Sequence, residues 1–333
     1  MFNVKPVRKP LIRALAGVLT ISALAVGGLP AHAADWPTKP LKLIVAFPPG
    51  GASDIVGRFY ADQLSSALGQ PVVVENKPGA GTAIAAEAAA KADPDGYTLS
   101  LAPAGQLTIL PHLAKDLRYD PIKDFAPVSV VASVPYVIAV NSTLPVKSLQ
   151  DLTAYAKANP GKVSYSSCGN GTLCHLSGEL YKSLTGTDLL HVPYKGSAPA
   201  ITALLGGEVN TAFDTLSIIA PQVKAGKVKG LAISSAKRSA VLPDVPTATE
   251  AGLQGYEVSS WFGIVAPAAT PRPIIDRLHT ELARIAASPA TKAKLAEQGL
   301  DVESTTPEGF TQLIHADSAK WGKVVAESGA KIE

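Results

Sequence analysis

The sequence predicts an α/β protein of two lobes, each a mostly parallel sheet flanked by helices, with two crossing strands as a hinge. Short apolar strands alternate with helical segments along most of the chain, which is typical of parallel sheets with right-handed crossovers. Two extended runs, 125–140 and 256–266, interrupt this alternation. A chain of 333 residues also exceeds what one hydrophobic core usually supports. We therefore predict a first lobe of residues 34–135 plus 258–333 and a second lobe of residues 136–257.

The individual elements follow from local strand, helix and turn signals. A mostly buried strand at 41–47 precedes a helix in which Val56, Tyr60 and Leu64 recur every four residues, with Gly69 as its stop signal. The other predicted strands are 71–75, 98–102, 162–166, 189–193, 209–213 and 230–234. The other predicted helices are 82–91, 148–158, 172–184, 198–205, 218–225, 273–287 and 308–326. The last helix is amphipathic, and we expect its Trp321 to be a core residue.

Residues 1–33 have the layout of a secretory signal peptide. Four basic residues between Lys5 and Arg13 precede an apolar run at 14–29, and Ala31 and Ala33 are the small residues that a signal peptidase reads. The alternative is a membrane anchor, but the run of about 16 residues is shorter than the roughly 20 that a spanning helix needs. We predict cleavage after Ala33 and export of the mature chain.

Removal of the signal peptide changes the charge balance of the protein. Residues 1–33 hold four of the 30 basic residues and none of the 27 acidic ones, so the mature chain has 26 basic and 27 acidic residues, a net charge of −1. No basic tract remains that would favour binding to nucleic acid or to an anionic membrane surface.

The first strand-to-helix turn has the chemistry of an anion site. Residues 47–54 read FPPGGASD, in which two glycines let the backbone approach a ligand closely. The helix that follows presents free N–H groups and a partial positive charge to an anion. A dinucleotide site is excluded by spacing, because Gly50 and Gly51 are adjacent and no third glycine completes G-x-G-x-x-G. The alternative is an ordinary tight turn in which Asp54 caps the helix.

Two later turns repeat this chemistry at strand ends of the second lobe. Residues 166–172 read SSCGNGT and residues 193–199 read PYKGSAP, and each connects a predicted strand to a predicted helix. Ligands of open α/β sheets bind at the carboxyl ends of the strands, so the three turns predict one small-molecule cleft between the lobes.

Several motifs along the chain resemble those of one family of receptors. FPPGG-x-SD, ENKPGAG, PDGYTL, GNGT, VPYKGSAPA and WFGIVAPAATP are similar to the motifs of the tripartite tricarboxylate transporter receptors, the Bug/TctC family, over about residues 34–333. The resemblance implies a two-lobed periplasmic binding protein-like fold and a location in the periplasm. It also implies a non-catalytic role: the receptor closes on a small carboxylate and delivers it to membrane transport subunits. We expect a monomer without a cofactor or a metal.

The resemblance also implies which residues hold the ligand. A carboxylate is expected to be pinched by backbone amides and hydroxyls of the first turn and the YKG turn, with waters bridging to the first lobe. The expected contacts are Phe47, Gly50, Gly51, Ala52, Ser53, Gly196, Ser197 and Ala198, joined by Ser167, Gly171 and Thr172 of the GNGT turn. Gln106 follows the strand at 98–102 and is expected to face the same cleft.

Asp214 and the two cysteines leave alternatives open. Asp214 follows the strand at 209–213 and either pairs with a ligand amine, holds a bridging water or caps a turn. Cys168 and Cys174 bracket the GNGT turn, and an exported protein favours a disulfide between them. The alternatives are a zinc site with His175 and His191, or Cys168 as a nucleophile.

An exported hydrolase of a small ester or amide, with Ser53 or Cys168 as nucleophile, is the competing function. The sequence lacks G-x-S-x-G and offers neither residue an obvious acid–base partner. Core packing is the favoured role of Trp261 and Phe262, although Phe262 can also line the cleft. The identity of the carboxylate does not follow from the sequence: di- or tricarboxylates, acidic amino acids and aromatic acids all fit backbone-dominated capture.

Overall fold

The computed structural model describes residues 36–328, and the predicted signal peptide lies outside them. The strands are β1 (Leu41–Val45), β2 (Val72–Asn76), β3 (Thr98–Pro103), β4 (Phe125–Asn141), β5 (Val163–Ser167), β6 (Leu189–Pro193), β7 (Thr211–Thr215), β8 (Val228–Ile233), β9 (Ser259–Pro267) and β10 (Asp301–Val302). The helices are α1 (Ala52–Leu68), α2 (Ala83–Ala90), α3 (Ala104–Thr108), α4 (Leu110–Leu113), α5 (Leu149–Ala158), α6 (Leu173–Thr185), α7 (Ser197–Gly206), α8 (Leu216–Lys224), α9 (Arg272–Ala287), α10 (Pro289–Glu297) and α11 (Pro307–Ser328). None of the helices within residues 36–328 is long and apolar enough to cross a bilayer.

The sheet is mixed, and its parallel strands are those that alternate with helices in the sequence. The spatial order is β2-β1-β3-β9-β4-β7-β5-β6, and β8 and β10 also pair with β4. β1 lies parallel to β2 and β3, and β5 lies parallel to β6 and β7. β4 and β9 are antiparallel to their neighbours. The predicted two-lobed α/β fold is confirmed, with β1–β3 in one lobe and β5–β8 in the other.

β4 is one long strand that belongs to both lobes. Its first part, 125–135, pairs with β9, whereas 136–141 pairs with β7 and β8. Nearly all of its side chains are buried, and Val137 and Ile138 are fully so. A run this rich in β-branched residues favours one continuous strand, which explains why no helix interrupts it. The limits of the lobes at 135/136 and 257/258 stay a prediction.

The last helix, α11, packs against both lobes. It contacts α3 and α4 of the first lobe and α6 of the second. Trp321 is 2% exposed and lies in a cluster of buried residues of the second lobe, which confirms it as a core residue. On β9, a Cβ at Gly263 would lie 2.1 Å from the Phe310 ring, so only glycine lets the helix pack this closely there.

The structure departs from the predicted elements mainly at short or strained segments. α2 begins at Ala83 instead of Thr82, because Thr82 has a φ of 95° that a right-handed helix does not accommodate. The second extended run forms strand only from Ser259 onward. The predictions also lack α3, α4, α10 and β10, of which α3, α4 and β10 are too short to show a periodic pattern.

Candidate ligand site

A partly enclosed cavity lies between the two lobes, where strand ends of both meet. Its space between atoms, counting the open mouth, is about 490 Å³. The lining residues are Phe47, Ala52, Ser53, Gly81, Thr82, Pro103, Gly105, Gln106, Tyr136, Cys168, Thr172, Leu173, Cys174, Ser197, Asp214, Thr215, Ser260 and Phe262. These lining residues include no Lys, Arg or His. An anion in the cavity would therefore depend on hydrogen bonds and helix dipoles.

The first turn presents the start of α1 to this cavity. Gly51 is the N-cap and has no side chain to accept the first amides of the helix, which begins at Ala52. Ala52 and Ser53 are buried and line the cavity. Gly50 has a φ of 90°, a left-handed value that glycine adopts without strain. The first N–H groups of α1 are orphan donors at a positive helix end, the arrangement that favours a carboxylate.

Asp54 fixes the shape of this turn. Its Oδ2 accepts hydrogen bonds from Gly50 N (3.1 Å) and Arg58 Nε (2.9 Å). Asn76 Nδ2 donates to Asp54 Oδ1 at 3.0 Å and to the Phe47 carbonyl at 2.8 Å. Burial alone would raise the pKa of Asp54, but these hydrogen bonds outweigh it and lower the pKa below the ordinary value. Asp54 therefore braces the turn from behind, and its side chain makes no N-cap bond to α1.

The other two turns close on the first lobe. A Cβ at Gly196 would lie 3.1 Å from Pro48, and a Cβ at Gly81 would lie 2.6 Å from the Asn170 carbonyl oxygen. A Cβ at Gly105 would lie 3.6 Å from the Leu173 amide nitrogen. The lobes thus touch through backbone and proline at three places around the cavity. This is the close approach that the glycine-rich turns make possible.

In the GNGT turn, Cys168 and Cys174 form a disulfide with Cα atoms 5.8 Å apart, which confirms the predicted bridge. A bonded Cys168 has no thiolate, so the nucleophile and zinc alternatives for it are wrong. The His175 and His191 rings stack with centroids 4.0 Å apart, and burial lowers the pKa of both, that of His191 to about 3. Within residues 36–328, no group of three His, Cys, Asp or Glu side chains is arranged to hold a metal ion.

Asp214 lies at the cavity and is 2% exposed. Its Oδ1 accepts hydrogen bonds from Thr215 N (2.7 Å) and from Ser197 Oγ (3.1 Å). Burial raises its pKa from 3.8 to about 6, although these hydrogen bonds act in the opposite direction. Because the Ser197 hydroxyl donates to Asp214, the donors that α7 offers an anion are its first backbone N–H groups. Gly196, the N-cap of α7, has no side chain to accept them.

Gln106 and Thr82 line the first-lobe side of the cavity and have unpaired polar atoms. Gln106 has no exposed surface, and neither its Nε2 nor its Oε1 has a hydrogen-bond partner among the described residues. The Thr82 hydroxyl is also buried and unpaired among them. Such groups are rare in proteins and costly to bury, so these atoms mark polar positions of the cavity.

The structure brings most of the predicted site residues to one cavity. Those that line it are Phe47, Ala52, Ser53, Gln106, Thr172, Ser197 and Asp214. Those placed in the turns but not among the lining residues are Gly50, Gly51, Ser167, Gly171, Gly196 and Ala198. Ser167 is turned toward the histidine pair, with its Oγ 2.7 Å from His191 Nε2. The role of each residue in ligand contact stays a prediction.

Sequence reasoning missed several lining residues and left Phe262 undecided. Tyr136, Thr215 and Ser260 lie on or next to the strands that pass between the lobes, so the crossing-strand prediction was the signal that could have found them. Thr82 gave no such signal, because its positive φ is not encoded by glycine or asparagine. Phe262 is 2% exposed and lines the cavity, so the structure supports the alternative that it lines the cleft.

Comparisons with known proteins agree with the motifs. The family model for the tripartite tricarboxylate transporter family receptor matches residues 56–330. Protein BugT of Bordetella pertussis is 37% identical over 324 residues, covering 97% of this chain and 99% of that protein. Among solved structures, R. palustris Rpa4515 with adipate is 38% identical with a TM-score of 0.87, over 90% of this chain and 100% of that one. MatC from Rhodopseudomonas palustris with bound malate is 33% identical with a TM-score of 0.83, over 87% and 99%.

The family match covers most of the chain, and relatives at this identity span nearly its whole length. The fold around the cavity is also that of the solved solute-binding relatives. This chain therefore belongs to the tripartite tricarboxylate transporter family of receptors.

Proposed function

We propose that the mature chain is a periplasmic receptor that captures a small carboxylate in the interlobe cavity and delivers it to the membrane subunits of a tripartite transporter. The observation that carries the proposal is the pair of helix starts at the cavity. α1 and α7 both begin there behind glycine N-caps, and no basic side chain lines the space. The relatives solved with adipate and with malate support a carboxylate as the ligand class.

The carboxylate is held mainly by backbone amides. One oxygen accepts from the first amides of α1 at Ala52 and Ser53, and the other accepts from those of α7 at Ser197 and Ala198. Each helix start contributes a partial positive charge, so the anion is stabilised without a counter-ion. The disulfide contributes indirectly, because it restrains the GNGT turn that forms one wall of the cavity.

Capture is completed by a hinge motion of the two lobes. The hinge lies where the crossing strands change partners, near 134–140 and 256–260. Opening would separate Gly196 from Pro48 and Gly81 from Asn170, which are in close approach in this conformation. A ligand that contacts both lobes favours the closed form by the contacts that only this form allows. The closed surface is then what the membrane subunits recognise.

Asp214 has a second possible partner besides Ser197. A ligand ammonium at the cavity would pair with this buried carboxylate, which would extend the ligand class to amino acids. Binding of matched pairs, an amino acid and its deaminated analogue, to wild type and to Asp214→Ala tests this. If Asp214→Ala loses affinity for the amino acid alone, Asp214 pairs with the ligand ammonium. Equal loss of affinity for both ligands contradicts this pairing.

Hydrolysis is the competing function, but the cavity offers few groups that could catalyse it. Ser53 lines the cavity, but histidine is absent from the lining residues, and Cys168 is bonded to Cys174. Asp214 would be the remaining base at the site.

A thermal-shift screen of the mature protein over a panel of carboxylates, after unfolding and refolding to remove bound ligand, tests the proposal. We expect a rise in melting temperature with at least one acid, and recovery of that acid unchanged by mass spectrometry. The methyl esters of the same acids are the control and should give no shift. Consumption of an ester or amide by the protein would instead support hydrolysis.

A further inference from the structure

The first-lobe side of the cavity contains a second set of hydrogen-bonding groups, apart from the helix starts. Gln106 is completely buried, and its amide donor and its amide acceptor are both unpaired among the described residues. The backbone of Gln106 is fixed, because the Tyr119 hydroxyl donates to its carbonyl at 2.6 Å. An uncompensated buried amide costs folding free energy unless something that enters the cavity pairs with it.

Thr82 adds a hydroxyl to the same wall, at a strained backbone position. Its φ is 95°, a value that β-branched residues rarely adopt. It is 3% exposed, and its Oγ1 is unpaired within residues 36–328. Strain of this kind persists where the surrounding structure imposes it, and it is concentrated at ligand sites. The strain and the unpaired hydroxyl are independent observations, and both point to a contact with a ligand.

The charges around the cavity decide which group fits this wall. The lining residues include no basic side chain, and their carboxyl group, that of Asp214, is buried on the opposite lobe. A second carboxylate on the ligand would be desolvated at this wall without a cation to pair with. An uncharged group avoids this cost. Gln106 offers a donor group, its NH2, and an acceptor, its carbonyl oxygen, and a primary carboxamide offers the complementary pair.

We propose that Gln106 and Thr82 form a second polar subsite that binds an uncharged carboxamide, so that the ligand is a monoanion with a carboxylate at one end and an amide at the other. This inference rests on the proposed function, because the carboxylate end must occupy the helix starts. The cavity also has apolar lining from Phe47, Pro103, Leu173 and Phe262, which suits a short hydrocarbon segment in the ligand. Gln106 is thus the residue that discriminates among carboxylates.

Isothermal titration calorimetry with three matched ligand sets tests the inference. Each set has one chain length and differs only at the far end: succinamate, succinate and butyrate; glutaramate, glutarate and pentanoate; adipamate, adipate and hexanoate. We expect the amide of the best-fitting set to bind at least about tenfold more tightly than its diacid and its monoacid, as two hydrogen bonds and one avoided buried charge imply. A diacid that binds as tightly as its amide overturns the inference but leaves carboxylate capture intact. If no member of any set binds, the inference is overturned, and the thermal-shift screen over the wider carboxylate panel tests the proposed function separately.

Two variants assign the effect to the residues. Gln106→Met keeps the size of the side chain and removes both hydrogen-bonding groups, so it should weaken binding of the amide about tenfold, while the monoacid should bind at least as tightly as to the wild type. Thr82→Val keeps the β-branched shape and removes only the hydroxyl, so its loss should be smaller and also confined to the amide. Binding of the monoacid and the thermal unfolding curve report correct folding of each variant. An unchanged affinity of both variants for the amide overturns the assignment.

Discussion

The replacement Asp214→Asn isolates the energetic cost of the buried acid. Asn keeps an Oδ1 that accepts from Thr215 N and Ser197 Oγ, which lie 2.7 and 3.1 Å from the Asp214 oxygen. The replacement removes the ability to ionise and changes the second oxygen to an NH2 group. In the unfolded chain the carboxyl titrates near its ordinary pKa of 3.8, whereas burial raises the folded-state pKa to about 6.

The size of the effect follows from these two values. Below pH 3.8 the group is protonated in both states, and above pH 6 it is ionised in both. Between them the folded state holds a proton that the unfolded state has released, so the free energy of unfolding falls as pH rises through this window. The difference corresponds to about 3 kcal/mol, since a tenfold change in an equilibrium constant is about 1.4 kcal/mol. No solvent screening reduces it, because Asp214 is buried.

Urea unfolding of wild type and Asp214→Asn at pH values from 4 to 8 measures the difference. The variant should gain up to about 3 kcal/mol relative to wild type between pH 4 and 7, and the gap should stay constant above that. Other acids also change the free energy of unfolding with pH. Asp54, with its lowered pKa, contributes less to it as pH falls. These contributions are common to both proteins and cancel in the comparison. Parallel pH profiles for the two proteins would refute the assignment of a raised pKa to Asp214.

Three further perturbations probe the turns that form the cavity. Replacing Cys168 and Cys174 together with serine removes a short-loop disulfide and should lower the free energy of unfolding by about 2 kcal/mol. It should also weaken ligand binding. If the wild type binds its ligand with equal affinity before and after reduction, the disulfide does not brace the site. Asn76→Ala removes the hydrogen bonds that hold Phe47 and Asp54, so it should lower the free energy of unfolding by about 1–3 kcal/mol and reduce carboxylate affinity. If calorimetry finds full affinity, the turn keeps its shape without these bonds. Gly105→Val should hinder closure, because a Cβ there would already be in van der Waals contact with the Leu173 amide nitrogen, at 3.6 Å, and the two methyl groups of Val need further room. Small-angle scattering with ligand measures the closure. The matched control is Gly206→Val, at another helical glycine where the nearest neighbour of a Cβ would be Glu208 Oε1 at 3.9 Å.

Features that depend on local sequence were predictable. The turn at 47–54 is indicated by paired glycines between a buried strand and an amphipathic helix. The β-branched run at 125–140 predicts an extended segment that crosses between the lobes, and the structure forms it as one continuous strand. The GNGT and YKG turns are also local signals, and the structure brings all three turns to one cavity. Backbone patterns of this kind determine the fold and the position of the cavity.

Features that depend on the meeting of distant segments were not predictable. Tyr136 and Ser260 belong to the predicted crossing strands, but which residues of those strands reach the cavity follows only from the pairing of β4 with β9, more than 100 residues apart in sequence. Thr82 takes a positive φ that its residue type disfavours, so its position follows from the surrounding packing. The unpaired state of Gln106 likewise depends on what surrounds it, and no sequence pattern reports a missing partner.

A crystal structure of the mature protein with its tightest-binding carboxylate tests the central claim most directly. The account predicts one carboxylate between the lobes, with its oxygens about 2.7–3.2 Å from backbone nitrogens at the start of α1, at Ala52 or Ser53, and of α7, at Ser197 or Ala198. A carboxylate paired with a lysine or arginine, or bound outside the interlobe cavity, would contradict it.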